Sequence, residues 1–231
     1  MDIKKDVIGI VGGMGSYATL NIFERILNAF DAEKEWERPR IIIDNYCTLP
    51  SRSRALLYNE KKDVVINGLA NSVKNLIYCG ANIIILGSNT AHLFLNDIIK
   101  ITPENGKYIV NIIEKCAEDL SKQNIKEVTL LGTDATVDLG MYETTLNARK
   151  ISIKLPSAEK QKRVAEFIEI VKQNAVTDNA VKEFAGFLSD IDTDVIVLGC
   201  TELPVLYQKC LKIAKTVFDP IDSVIKYLKE E

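Results

Sequence analysis

Short, unbroken runs of aliphatic and β-branched residues recur along the chain: DVIGIV at 6–11, RIIIDN at 40–45, NIIIL at 82–86, KEVTLL at 126–131 and DVIVL at 194–198. They are continuous rather than alternating, which suits strands buried on both faces of a parallel sheet. Longer amphipathic stretches separate them, the pattern of α/β architecture. Strands are expected at those five places and at 108–110, 151–154 and 215–218. Helices are expected near 16–30, 61–79, 92–99, 109–123, 138–148, 158–173, 177–189 and 220–230. Within 109–123, Ile109, Ile112, Ile113, Cys116 and Leu120 repeat at helical spacing, so Cys116 should face a core as a small hydrophobe.

Composition removes several classes of function. The 231 residues suffice for one large domain or two small ones, and a net charge of -3 without a Lys/Arg block gives no case for nucleic acid. No apolar run approaches the roughly eighteen residues of a membrane-spanning helix. The start, MDIKKDVIGIVGG, has no signal-peptide cleavage region, and a cytoplasmic location is expected. A single histidine, His92, excludes multi-histidine metal sites. Five cysteines without a C-x-x-C pair exclude a zinc ribbon and suggest free thiols, so no metal is expected.

A weak internal repeat is present. Asn82-Ile-Ile-Ile-Leu-Gly-Ser-Asn-Thr90 lines up with Asp194-Val-Ile-Val-Leu-Gly-Cys-Thr-Glu202, and Asp6–Gly13 resembles Glu127–Thr133. Two such units can form two α/β lobes, with ligands bound outside the C-terminal ends of the strands. Strand–Gly–polar turns are also common to any pair of α/β units.

Three turns could carry chemistry. Gly12-Gly13-Met14-Gly15-Ser16 could cradle an anion at a helix N-terminus, or be a tight turn that needs glycine; it is neither G-x-G-x-x-G nor a Walker A loop. In Gly199-Cys200-Thr201-Glu202, the cysteine follows a buried strand directly. Nearby N–H groups there are expected to lower its pKa, and a buried inert thiol is the plainer alternative. In Gly87-Ser88-Asn89-Thr90-Ala91-His92, Ser88 occupies the place of Cys200, and Asn89 and Thr90 can cap a helix or bind small polar ligands. His92 could be a ligand, an orienting group or a satisfied core histidine, the last being favoured.

Taken in order, IGIVGGMGSYAT, the TLPSR turn, GSNTAH, LLGTDATVDLGMYE and LGCTELPVL resemble the cofactor-independent aspartate/glutamate racemase family, and within it the aspartate racemase branch. The resemblance spans nearly the whole chain. It implies an α/β fold of two similar lobes, each with a mostly parallel sheet flanked by helices. The lobes would be related by a pseudo-two-fold axis, with the active site in the cleft between them. The first lobe would comprise 1–100 plus 208–231 and the second 101–207. It implies a homodimer, a small amino-acid or dicarboxylate substrate, and neither metal nor pyridoxal phosphate. In such racemases one cysteine from each half flanks the substrate α-carbon, one taking the α-proton and the other returning it on the opposite face.

Cys200 matches the second of these cysteines, which in the family handles the L-enantiomer. The first should stand where this chain has Ser88, and an alcohol is a poor base and a slow acid. Ser88 could be a replacement made to disable the reaction. It could mark a natural one-thiol relative, like the L-specific racemases that carry threonine there. Or the chain could have lost racemisation and kept binding, or a decarboxylase or isomerase activity on dicarboxylates. Arg52 matches a carboxylate-gripping arginine and Lys162 a basic residue for the second carboxylate. Asn89, Thr90, Thr133, Thr136 and Thr201 are implied as polar contacts, Gly13 and Met14 as backbone N–H donors, and Cys47, after Tyr46, as a distant thiol.

Overall fold

A computed structural model describes residues 5–211 and 213–230; residues 1–4, 212 and 231, assigned above to the first lobe, lie outside the described residues. The chain divides into two compact units, Met1–Ile112 with Val224–Glu231, and Ile113–Ser223.

The first unit runs β1 (Val7–Gly12), α1 (Ser16–Ala29), β2 (Arg40–Asn45), α2 (Arg52–Tyr58), α3 (Lys62–Tyr78), β3 (Ile83–Leu86), α4 (Leu95–Ile101) and β4 (Ile109–Val110). The second runs α5 (Ile112–Lys122), β5 (Glu127–Gly132), α6 (Asp134–Asp138), α7 (Glu143–Asn147), β6 (Ser152–Lys154), α8 (Ala158–Lys172), α9 (Asp178–Ser189), β7 (Val195–Gly199), α10 (Leu203–Tyr207) and β8 (Thr216–Phe218). Helix α11 (Pro220–Glu230) follows, and from Val224 onward it belongs to the first unit.

Each unit holds a four-stranded sheet whose strand pairs are all parallel, ordered β2-β1-β3-β4 in one and β6-β5-β7-β8 in the other. The two orders are the same, as the internal repeat suggested. The unit boundaries fall later than 100/101 and 207/208. β4 pairs with β3 and keeps the segment up to Ile112 with the first sheet, while β8 pairs with β7 and keeps 216–218 with the second.

Periodic apolar faces cover the sheets. On α3, Val65, Leu69, Val73 and Leu76 are buried at helical spacing and pack with Ile84, Leu86, Phe94 and Ile98. On α8 and α9, Val164, Phe167, Ile168, Val171, Phe184 and Leu188 pack with Ile196 and Leu198. Phe167 and Phe184 meet edge to face, their centroids 5.0 Å apart. Cys116 is fully buried, as its place on the apolar stripe predicted.

The helix expected at 138–148 differs. It starts earlier, at Asp134, and is cut into α6 and α7 around Gly140, whose φ is +57°. A left-handed residue ends a helix, and glycine adopts that conformation most readily. Helices α2 and α10 had no counterpart among the expected helices; each is a short helix, α10 being opened by Pro204 in its first turn.

Candidate active site

From β1 each chain crossover leads to β2 on one side and later to β3 on the other; β5 stands likewise between β6 and β7. The strand order thus reverses between β1 and β3, and between β5 and β7. Open α/β sheets bind ligands outside the C-terminal ends of their strands at such a reversal. The residues at those ends are Gly13 and Ser88 in the first unit, and Thr133 and Cys200 in the second.

In the first unit, Gly13 has φ +79°, and a Cβ there would come within 2.5 Å of the Tyr46 and Cys47 backbone. Its N–H donates to Thr19 Oγ1 at 2.9 Å. The Met14 carbonyl accepts from Arg52 Nη2 at 2.8 Å, and the Pro50 carbonyl from Nη1 at 3.4 Å. The glycine turn therefore spends its Gly13 N–H internally and serves to hold the Arg52 guanidinium. Ser88, Asn89 and Thr90 are all buried, and the Ser88 and Thr90 hydroxyls lie 3.1 Å apart.

His92 is also buried. Its Nε2 accepts the Ile112 N–H at 3.4 Å, so the proton sits on Nδ1 and is donated to the Ser88 carbonyl at 3.0 Å. Burial is the main reason its pKa falls to about 4. His92 is thus a neutral, satisfied core histidine that orients the Ser88 backbone.

In the second unit, Cys200 is buried and its Sγ–H donates to Glu202 Oε2 at 2.9 Å. The Thr201 hydroxyl reaches the same oxygen at 3.5 Å, and Glu202 is only 2% exposed. Desolvation, then the Glu202 charge, push the Cys200 thiol well above its ordinary range. The backbone N–H of Glu202 and the ammonium of Lys172 act the other way and are outweighed. This overturns the lowered pKa expected from a strand-end turn: those N–H groups are present, but a buried carboxylate stands against the sulfur. Thr133 caps α6, accepting from the Thr136 N–H at 3.2 Å, and the two hydroxyls are 2.9 Å apart. Thr136 is fully buried beneath Gly132, where a Cβ would come within 2.8 Å of its Cγ2.

A protein-family model described as Asp/Glu/Hydantoin racemase matches residues 11–228. The chain belongs to this family. It is 26% identical over 225 residues to a glutamate racemase of Lactobacillus johnsonii, across 95% of this chain and 78% of that protein. Its structure is similar to that of the Picrophilus torridus aspartate racemase, with a TM-score of 0.83, 28% identity and coverage of 97% of this chain and 93% of that one. An aspartate racemase homologue from Pyrococcus horikoshii follows at a TM-score of 0.73, 25% identity and 98% coverage of both chains. The two lobes with parallel sheets are the Asp/Glu racemase fold, and the relatives named above as racemases are isomerases.

Among the residues nominated from sequence, the fold gathers Thr133, Thr136, Cys200 and Thr201 at one strand edge of the second lobe, and Gly13, Met14, Arg52, Ser88, Asn89 and Thr90 around strand ends of the first. Lys162 stands on an exposed part of α8. A separate cation, Lys172 at the end of the same helix and bonded to Glu169 at 2.7 Å, is the one whose charge reaches Cys200. Cys47 is exposed beside the Gly13 turn. Sequence reasoning quoted Glu202 within the G-C-T-E motif but assigned it no role. Its signal was a carboxylate two residues from the thiol, and only the turn geometry brings the two into contact.

Proposed function

We propose that this racemase-family chain moves the α-proton of an acidic amino acid, aspartate first and glutamate second, with Cys200 as its acid/base. The observation that carries this reading is the buried Cys200 thiol donating to the buried Glu202 carboxylate at 2.9 Å. The pair can carry one proton between two atoms. When the thiol proton passes to Glu202 Oε2, the thiolate can take the substrate α-proton and leave the electron pair on the α-carbon. That charge spreads into the neighbouring carboxylate, which Arg52, a guanidinium fixed by two backbone carbonyls, is suited to grip. Return of a proton from the opposite face completes racemisation. By the family resemblance, that face belongs to the position that Ser88 occupies in this chain. An alcohol is a weak proton carrier, so the L-enantiomer, the one handled by Cys200, should exchange faster than the D-enantiomer.

The family resemblance further implies a homodimer in the cytoplasm; among the described residues no helix is long and apolar enough to cross a membrane. One observation favours a second reading. A thiol held neutral is a ready proton donor, which suits a decarboxylase that protonates a carbanion with one cysteine.

Proton NMR in D₂O with L- and D-aspartate and L- and D-glutamate tests the proposal. Loss of the α-proton signal from L-aspartate, abolished in Cys200→Ala, is expected, as is faster racemisation in Ser88→Cys. Exchange retained in Cys200→Ala, or no exchange in either the native chain or Ser88→Cys, would overturn it. Release of CO₂ from a substituted malonate would favour the second reading.

A further inference from the structure

The Gln161 side chain, on the first turns of α8, lies across the end of β5. Its Nε2 donates to the Gly132 carbonyl at 3.0 Å and to Asp134 Oδ1 at 2.8 Å. Both partners only accept, so the amide can face them only with its nitrogen, and Oε1 must point the other way. That oxygen is buried and accepts no hydrogen bond from any of the described residues. Orphaned buried acceptors are rare, because leaving one unpaired costs about 1–3 kcal/mol.

The register tells where the amide is anchored. Gly132 pairs with Gly199 across β5 and β7, and Cys200 follows Gly199 directly. The amide is therefore anchored about one strand spacing, roughly 5 Å, from the strand that delivers the reactive thiol. The anchored Gln161 amide and Cys200 thus stand at the neighbouring strand ends on either side of the strand-order reversal of the second lobe.

We infer that Gln161 Oε1 is an acceptor for the substrate's α-ammonium and so selects amino acids over the corresponding deaminated dicarboxylates. The inference rests on the acidic amino-acid reading given above. At neutral pH an acidic amino acid carries two carboxylates, which only accept, and one ammonium, which only donates. An amide oxygen turned away from Gly132 and Asp134 can serve the ammonium alone and repels a carboxylate placed there. The same contact fixes which substituent of the α-carbon lies beside Gln161, and hence which bond is turned toward the thiol. The two Nε2 bonds keep the amide from flipping to offer its N–H groups to a carboxylate.

Calorimetric titration of the full chain with L-aspartate, D-aspartate and succinate separates the outcomes. Succinate keeps both carboxylates and lacks the ammonium. In Gln161→Met, aspartate affinity should fall about ten- to a hundredfold relative to succinate, the range of one hydrogen bond to a charged group. An equal loss for both ligands in Gln161→Met, or no loss for either, would reduce Gln161 to a brace of the Gly132–Asp134 turn and overturn the inference. If the native chain bound neither aspartate nor succinate, the acidic amino-acid reading itself would fall, and this one with it.

Discussion

At the scale of single residues, proton affinity decides what the two candidate side chains can do. Burial and the Glu202 charge hold Cys200 as a thiol, so its use as a base depends on a nearby group that takes the proton. Glu202→Gln keeps an acceptor for the thiol but cannot be protonated. We expect α-proton exchange to fall by about a hundredfold or more in this variant, the scale of one lost general base. Removing the carboxylate charge also lets the thiolate form more readily, so residual exchange should rise with pH, still above the ordinary thiol range because Cys200 remains buried. Equal exchange in the two proteins would refute the pair.

His92 makes a stability prediction. Its folded pKa of about 4 lies below the ordinary 6.5, so the unfolded chain binds more protons between these values. Its contribution is present in full above about pH 6.5 and is lost as pH falls through the window, by about 2 kcal/mol between pH 7 and 5. Urea titrations at those two pH values should show this fall, and His92→Asn should lack it.

At the scale of elements, the turns that close β1 and β5 are each built from a glycine and a threonine that locks it. Thr19 binds the Gly13 N–H and packs against Gly12; Thr136 packs against Gly132 and binds the Thr133 cap. Gly13 combines a positive φ with close approach to the Tyr46–Cys47 backbone, whereas Gly80 has φ +100° and open space around its Cα. Gly80→Ala should therefore cost about 1–2 kcal/mol, the strain of a left-handed residue alone. Gly13→Ala should cost clearly more, because backbone atoms must also move, and thermal melts of the two variants would show the difference. Equal melting shifts would mean that the turn yields easily. The glycine-rich sequence itself did not reveal that this turn's role is to seat Arg52 through the Met14 carbonyl.

At the scale of the molecule, each unit has its own sheet and its own apolar cluster. Phe184 is fully buried and packs on Phe167 in the second. Phe184→Ala should destabilise that unit by about 3–5 kcal/mol, the range for an aromatic deleted from a core. Amide hydrogen exchange should then accelerate in β5, β7 and α8 while β1 and β3 keep their protection, since separate cores open as separate cooperative units. Uniform acceleration would show that the units unfold together. The strand order repeated in the two units also places the same kind of turn at each order reversal, which is why Ser88 and Cys200 occupy matching positions.

The strands, most helices and the repeated unit could be read from sequence, because runs of isoleucine and valine and helical apolar spacing are local consequences of burial. The motif order likewise sufficed to indicate the family. The broken helix around Gly140, the lobe boundaries and the identity of the cation acting on Cys200 were decided by tertiary structure. So were the neutral tautomer of His92, the contact of Cys200 with Glu202 and the bare oxygen of Gln161. These depend on which groups burial brings together, and proton affinity and hydrogen bonding respond to neighbours in space: the pKa of Cys200 is raised by its burial and then by the buried carboxylate of Glu202, and Gln161 is oriented by a carbonyl twenty-nine residues away.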